Sequence, residues 1–406
     1  MKKKKTFAFI IIIAFVAVAV LHIKIGLDEN DENGINEIFN EKKKINKSGI
    51  YEYTMELLPY KTFLLDYNTT QSTNYIQALN IHDTTRFTMF NPAKYNILIY
   101  DMTSGNMIYD IQLYKDGPNN VGTNIMGYYM TTIDSIYLYD YWQNTLILVD
   151  RKGKIINKIN LTDKLFQPTE DCVIPPSPFP RTDAPIRKVK DNIILNGMNG
   201  RTGECKNPTC MVTVLYNLKD SSILFANPYP EIYGNHSEIT SSWGVFSYRE
   251  VFYDINDQDE MIVSFPADDH VYIYDISSGI TKKFFSGHSS KDHIFPIRKN
   301  TAYGAIVQFL EQTQYVGVFF DKYRNLYYRL IVHPLNDYDV NNRRTWSKKI
   351  SVIILNSHFI KVGEYDLEEK TNLCSNTFVS EEGLHINVES EDDDYLKFIS
   401  LKPVKR

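Results

Sequence analysis

Asn96-Ile-Leu-Ile-Tyr-Asp101 is an apolar strand that ends in an acidic residue, and Met102-Thr-Ser-Gly105 follows it as a tight turn. Residues Asn106 to Leu113 then alternate in the manner of a second strand. The same design recurs three times further along the chain, at residues 145–161, 271–285 and 316–332. A hairpin repeated on one plan indicates an array of small sheets, and this array is predicted to be an all-β fold, a β-propeller.

Asp101, Asp150, Asp275 and Asp321 occupy the same place in the four repeats, at the junction of strand and turn. The turn that follows each of them ends in glycine in three repeats and in asparagine in the fourth. Aspartate at such a junction accepts hydrogen bonds from the turn amides, and glycine or asparagine supplies the positive φ. A catalytic residue is needed only once, whereas a structural residue recurs. We therefore predict four turn residues rather than a ring of catalytic or metal-binding carboxylates.

Six pairs of strands are predicted along the chain. They are Arg86–Met89 with Ile97–Tyr100, Ser135–Tyr141 with Thr145–Val149, Asn192–Leu195 with Met211–Tyr216, Met261–Phe265 with Val271–Tyr274, Ala305–Phe309 with Tyr315–Phe320, and Leu384–Val388 with Tyr395–Ser400. The N-terminal segment Ile50–Leu65 has strand character but no partner of its own, so we expect it to complete the last blade and close the ring. Ser351–Asp366 either belongs to the sixth blade or forms a seventh hairpin. Six blades are favoured, and seven remain open.

Composition agrees with a single β domain over residues 50–406. The chain has 406 residues, and its 29 tyrosines and 22 phenylalanines suit half-buried pleated surfaces. Its net charge of -5 gives no broad basic field, so no nucleic-acid partner is predicted.

The N-terminus carries a targeting signal. Lys2 to Lys5 precede an unbroken apolar run, Phe7 to Leu21. Residues 1–24 are predicted to be a signal peptide or an uncleaved signal anchor, and residues 25–49 a disordered polar linker. Both alternatives export the body. It is then either anchored in the inner membrane through the N-terminal segment, facing the periplasm, or secreted after cleavage.

Two of the four cysteines lie close together in a loop with a turn signal. Cys205 and Cys210 flank Asn207-Pro208 and are predicted to form a local disulfide, with Cys172 to Cys374 as a possible second bond. No further cysteine or histidine is near enough in sequence for a zinc site, and no phosphate-binding or calcium-binding loop matches. No metal and no cofactor are therefore predicted.

Long loops between the predicted blades hold the candidate binding residues. These candidates, chosen as aromatic, basic and imidazole side chains on such loops, are His236, Trp243, Arg249, His293 and Arg298. His288 belongs to the same loop as the last two. The alternative for Trp243 is that it packs beneath its loop. No catalytic residue is assigned from the sequence.

The chain resembles a family of uncharacterised exported Bacteroidetes proteins with a TolB-like six-bladed β-propeller. The segments that carry the resemblance are Ile99-Tyr-Asp101 with Ser104-Gly105, and the stretches 319–334, 351–364 and 380–402. The resemblance covers about residues 50–402 and implies a fold and a lineage, but no activity. Members are commonly lipoproteins, whereas here His22-Ile-Lys24 follows the apolar run and no lipobox cysteine is present.

Two function classes stay open at this point. The first is a binding or scaffolding propeller that recognises a protein, peptide or glycan through its loop face. The second is a propeller hydrolase or lyase, which would need charged side chains that converge on the ring axis. The position of Arg249, Glu250, His293 and Arg298 relative to that axis distinguishes the two classes.

Overall fold

The computed structural model describes residues 51–71, 73, 75–81, 84–165, 173–199, 209–243, 248–290, 294–296, 301–371 and 374–406. Within these ranges the chain is almost entirely β-structure, in a propeller-like arrangement of four smaller sheets and one sheet of eight strands. The N-terminal strand is β1 (Tyr53–Leu64).

Three of the smaller sheets are antiparallel, and each contains four strands that are consecutive in the chain. They are β2 to β5 (Ile76–Ile81, Thr84–Asn91, Asn96–Asp101, Met107–Gln112), β6 to β9 (Ile125–Thr132, Ser135–Asp140, Thr145–Val149, Ile155–Asn160) and β16 to β19 (Phe252–Ile255, Glu260–Ser264, His270–Asp275, Thr281–Phe285). The fourth small sheet has six strands, β10 to β15 (Val173–Ile174, Pro176–Pro178, Arg187–Val189, Asn192–Asn199, Thr209–Asn217, Ile223–Pro228).

The eight-stranded sheet joins the end of the chain to its beginning. Its remaining strands are β20 to β26 (Gln314–Asp321, Leu326–Val332, Lys348–Leu355, Lys361–Thr371, Thr377–Ser380, Gly383–Val388, Tyr395–Lys405). The order across the sheet is β20-β21-β22-β23-β1-β26-β25-β24. β1 and β26 pair antiparallel from Tyr53 opposite Lys405 to Leu64 opposite Tyr395, whereas β1 meets β23 only at Tyr53 opposite Gly363. The N-terminal strand thus pairs with the C-terminal strand, as the sequence predicts.

The four repeated aspartates are turn residues, which confirms the interpretation from the sequence. In each repeat one carboxylate oxygen accepts hydrogen bonds of 2.8–3.3 Å from backbone N–H groups two to four residues ahead. The residue that ends the turn has positive φ, for example 71° at Gly105 and 54° at Asn325. These hydrogen bonds hold the pKa of Asp101 and of Asp275 below the usual range, led by the bonds from Ser104 and Ser277.

Helices are few among the described residues. They are α1 (Thr162–Leu165), α2 (His236–Ser242) and α3 (Ala302–Glu311), with 3-10 turns at Glu231–Tyr233 and Arg343–Thr345. α3 corrects the prediction of a strand over Ala305–Phe309. Its N-cap is Thr301, whose hydroxyl accepts a hydrogen bond of 3.0 Å from the Gly304 N–H, and a capped segment of ten residues favours helix over strand.

The segment Ser351–Asp366 forms two paired strands of the eight-stranded sheet. It spans most of β22 and the first half of β23, which follow β20 and β21 in antiparallel order. Among the described residues no helix is long and apolar enough to cross a membrane, and the apolar run 7–21 lies outside them.

An aromatic core fixes β1 to its neighbours. The Phe63 side chain is fully buried and stacks on Phe87 of β3, with 3.9 Å between ring centroids and 13° between planes. Phe398 of β26 and Phe378 of β24 complete the contact. The side chain of Phe63 therefore packs against the sheet β2 to β5 and against the C-terminal strands β24 and β26.

Replacement of Phe63 by alanine tests this closure. We expect Phe63→Ala to lower the free energy of unfolding by about 3–5 kcal/mol, because it removes a buried aromatic ring and leaves a cavity. The matched control is Leu57→Ala on the same strand, where the side chain is 59% exposed, and its expected effect is below about 1 kcal/mol. Urea denaturation of the full chain measures both, and equal effects would contradict the role given to Phe63.

Candidate functional site

A cavity of about 220 Å³ lies at the starts of β16, β20 and β24, three strands that neighbour one another. We call it the Glu250 cavity. Its charged lining residues are Asp183, Glu250 and Lys348, and its walls include Phe252, Phe309, Val316 and Trp346. Charged groups thus share a small space with apolar side chains.

Arg181 links the two carboxylates of the cavity. Its Nε donates a hydrogen bond of 2.8 Å to Asp183 Oδ1, and its Nη1 lies 3.2 Å from Glu250 Oε1. The guanidinium also lies over the ring of Phe252, 5.4 Å from its centroid. Two carboxylates therefore share a single guanidinium, and the group carries one net negative charge when both are ionised.

Burial changes the acid strength of these carboxyls. It raises the pKa of Glu250 to about 7, with a further contribution from the charge of Asp183 and an opposing one from Arg181. Burial also raises the pKa of Asp183, although Arg181 opposes that change. Glu250 is therefore a carboxyl group that gains or loses its proton close to neutral pH.

Lys348, the first residue of β22, faces the same cavity. Its Nζ donates hydrogen bonds to the carbonyl oxygens of Phe309, at 2.5 Å, and Gln312, at 2.8 Å, at the C-terminal end of α3. Burial lowers the pKa of Lys348 to about 7. An ammonium group has three donors, so one remains beyond these two carbonyls.

A second cavity of about 360 Å³ lies towards the opposite ends of the same three strands. Its charged groups include Arg187 and Asp254, which form an ion pair of 3.3 Å between β12 and β16. This cavity is larger and more polar. The Glu250 cavity is the stronger candidate, because it contains a carboxyl and an amine whose pKa values are both moved to about 7.

The structure places Trp243 inside the protein rather than on the surface of its loop. Its side chain is 2% exposed, its Nε1 donates a hydrogen bond of 3.2 Å to the Tyr233 carbonyl, and its ring packs on Tyr233 and Tyr248. Trp243 therefore packs beneath its loop, which is the alternative that the sequence offered to an exposed binding residue, since a large indole with its N–H satisfied contributes most when buried.

The other candidates from the sequence divide into two groups. Arg249 is partly buried and is adjacent in sequence to Glu250, but it is not among the residues that line the Glu250 cavity. The backbone of His236 begins α2, and its side chain lies outside the described part of the structure. His293 and Arg298 also lie outside the described residues, so their roles stay predictions.

The predicted disulfides also remain predictions. Cys205 and Cys172 lie outside the described residues. Cys374 is adjacent to the Glu250 cavity, and burial raises the pKa of its thiol to about 12. A thiol of this kind is a poor nucleophile, since the thiolate is the reactive form.

Sequence reasoning found part of this site and missed the rest. Arg181 and Asp183 lie in the proline-rich loop 172–187, and Glu250 follows the aromatic loop 228–249, so loop length and composition pointed to both segments. No sequence pattern indicated a functional role for Lys348, because a lysine before an apolar strand is common. Its position in the same cavity as Glu250 depends on how the fold places β16 and β22.

Glu250 predicts a specific dependence of stability on pH. Its pKa is raised from 4.5 to about 7 in the folded protein, so the folded state binds more protons than the unfolded state between these values. The free energy of unfolding therefore falls as pH rises through this window. The pKa of Lys348 is lowered from 10.5 to about 7 in the folded protein. Its titration therefore changes the free energy of unfolding only above that pH window, where stability rises with pH.

We expect the wild type to lose stability relative to Glu250→Gln between pH 5 and pH 7, because the amide cannot ionise. Urea denaturation at both pH values measures the difference. The control is Glu56→Gln, which makes the same chemical change on the exposed side of β1. A difference that stays constant with pH, or that Glu56→Gln reproduces, would contradict the burial of this carboxyl.

Known proteins share this fold at low sequence identity. A member of the DUF4221 family from Bacteroides vulgatus ATCC 8482 is 21% identical, with a TM-score of 0.72, and the match covers 88% of this chain and 99% of that chain. A protein from Bacteroides fragilis NCTC 9343, described as a "Putative exported protein", is 9% identical with a TM-score of 0.53, covering 86% of this chain and 95% of that one. No curated protein matches the chain. The family model DUF4221, a domain of unknown function, matches residues 54–366, and the chain therefore belongs to this family.

Proposed function

We propose that this protein is an exported, six-bladed propeller that binds a small ligand with a free amino group in the Glu250 cavity. The observation that carries the proposal is that Glu250 and Lys348 line one cavity with apolar walls. Binding sites of this type combine an apolar lining with a few polar groups that set orientation.

Contacts between one edge strand of each unit and an edge strand of the next support six blades. Gln77 of β2 donates a hydrogen bond of 2.9 Å to the Tyr128 carbonyl of β6, and β6 lies beside β12. β12 is linked to β16 by the pair Arg187 and Asp254. β16 then lies beside β20, β20 beside β24, and β24 beside β2. This order returns to its starting strand after six steps.

On this proposal the eight-stranded sheet is two blades that lie side by side. β20 to β23 form one antiparallel set of four, and β24, β25, β26 and β1 form the other. Among the described residues, one parallel bridge, Tyr53 opposite Gly363, is the strand pairing that joins the two sets. Propellers leave only short and protected sheet edges, and β1 covers the edge that β26 would otherwise expose.

Export is proposed from the N-terminal sequence. Lys2 to Lys5 and the apolar run Phe7 to Leu21 have the composition of a signal peptide or a signal anchor. Similarity in fold to the exported protein of Bacteroides fragilis is compatible with this location. The propeller then lies outside the inner membrane, anchored or released.

The size of the cavity limits the ligand. Drug-sized ligands occupy about 300–1,000 Å³, so a cavity of about 220 Å³ suits a smaller molecule. Asp183 and Glu250 offer acceptors for an ammonium group, and Lys348 offers a donor for a carboxylate. A dipeptide with free termini and an apolar side chain presents these groups together.

Dipeptide binding tests this proposal. We expect leucyl-glycine with free termini to bind the full chain, and its N-acetylated form to bind about 10-fold to 100-fold more weakly, since acetylation removes the charged donor. Glu250→Gln should weaken binding of the free dipeptide, and the control Glu56→Gln should not. Isothermal titration calorimetry measures each affinity.

A disaccharide such as maltose is the competing probe in the same experiment. Binding of maltose without dipeptide binding would contradict the peptide proposal. Equal affinity of the free and acetylated dipeptides would remove the carboxylates from ligand recognition. Equal affinity of the wild type and Glu250→Gln would remove the Glu250 cavity from it.

A propeller hydrolase or lyase is the second candidate, favoured by the same two side chains. A carboxyl and an amine with pKa values of about 7 are suited to proton transfer at neutral pH. Mass spectrometry of leucyl-glycine incubated with the protein distinguishes the two functions. Cleavage that Glu250→Gln abolishes would favour the enzyme, and an unchanged bound dipeptide would favour the binding protein.

A further inference from the structure

We propose that His288, His333 and Asp366, with Glu364 as a fourth ligand, form a zinc site between the sheet β16–β19 and the strands β21 to β23. The site does not depend on the Glu250 cavity, since none of these residues lines it. No metal is predicted from the sequence. Sequence patterns could not identify this site, because the two histidines follow different strands and have no short spacing to each other or to the acidic residues of β23.

The three first-named residues place one ligand atom each within 4.8 Å of the others. His288 lies in the loop after β19, and His333 directly follows β21. The centroids of the two imidazole rings are 5.2 Å apart, with 72° between the ring planes. Two imidazoles and a carboxylate in this arrangement are a common zinc ligand set.

One oxygen of each carboxylate lies close to the imidazole of His288. Its Nε2 lies 3.5 Å from Asp366 Oδ1 and 3.8 Å from Glu364 Oε2. The nearby lysines bind the other oxygens: Lys349 Nζ lies 3.0 Å from Asp366 Oδ2, and Lys361 Nζ lies 2.7 Å from Glu364 Oε1. The oxygens that face the imidazole are therefore not the ones that the lysines hold.

Serine hydroxyls surround these ligands and fix their orientation. Ser351 Oγ lies 2.6 Å from His333 Nε2 and donates to Asp366 Oδ1 at 2.6 Å, so it joins two of the proposed ligands. Ser289 Oγ donates to Glu364 Oε2 at 2.5 Å. His288 Nδ1 lies 3.0 Å from Ser290 Oγ and accepts a hydrogen bond of 3.2 Å from the Ser290 N–H, which leaves Nε2 directed at the carboxylates.

Zinc fits the donor set better than calcium or magnesium. Those ions prefer oxygen ligands only, whereas imidazole nitrogen suits zinc. Tetrahedral zinc with bonds of about 2.0–2.1 Å needs ligand atoms about 3.3 Å apart, so the ligand atoms draw together by up to about 1.5 Å on binding. The side chain of Asp366 is 52% exposed, which gives the ion a path from solvent.

Zinc binding by the full chain tests the proposal. After removal of metal with a chelator, we expect one zinc ion per chain to bind in a calorimetric titration with zinc chloride, and to raise the melting temperature. His333→Gln and Asp366→Asn should each weaken binding at least 10-fold. Asp366→Asn keeps the size of an exposed side chain, so it reports on binding even if the histidine variant is unstable.

The control is His270→Ala. His270 Nδ1 lies 2.8 Å from Asp268 Oδ1, so this variant removes a histidine–carboxylate pair outside the proposed zinc site. Its zinc affinity should equal that of the wild type. Failure of the wild type to bind zinc, or equal binding by the wild type and Asp366→Asn, would overturn the proposal. Loss of dipeptide binding would not affect it.

Discussion

The antiparallel pairing of β1 with β26 is the contact on which the rest of the structure depends. It joins residues near both ends of the described chain over the full length of β1, with a bulge between Leu58 and Lys61 that contains Pro59. Proline cannot donate a ladder hydrogen bond and is tolerated at a bulge. The side chain of Phe63 then packs between β3, β24 and β26. Closure in this way keeps β24 beside β2 and so fixes the positions of the edge strands that neighbour them.

The Glu250 cavity follows from that placement. Loops before β12, β16 and β24 bring Asp183, Glu250 and Cys374 to one place, and β22 adds Lys348 from the side. Buried charges are costly unless they are paired, and here a single guanidinium serves two carboxylates. The protein therefore retains a carboxyl and an amine that both titrate near neutral pH. Such groups are concentrated at functional sites, which is why the proposed function is assigned to this cavity.

The sequence was most informative where local chemistry decides the structure. Aspartate at a strand end, followed by glycine or asparagine, predicted the hairpins correctly because the carboxylate bonds the turn amides within a few residues. It failed at Ala305–Phe309, where a five-residue apolar run fits helix and strand equally and the cap at Thr301 decides. Trp243, Lys348 and the contact of His288 with His333 depend on packing between distant segments. No local pattern specifies such contacts.

Hydrogen exchange of the full chain, read by mass spectrometry, tests most directly the claim that the chain closes through β1. If β1 is an integral strand, peptides from 53–64 should be protected to a similar degree as peptides from 395–405, and both should open together as denaturant is added. Rapid exchange of 53–64, with 395–405 still protected, would contradict the account. It would mean that the C-terminal strand is stable without its N-terminal partner.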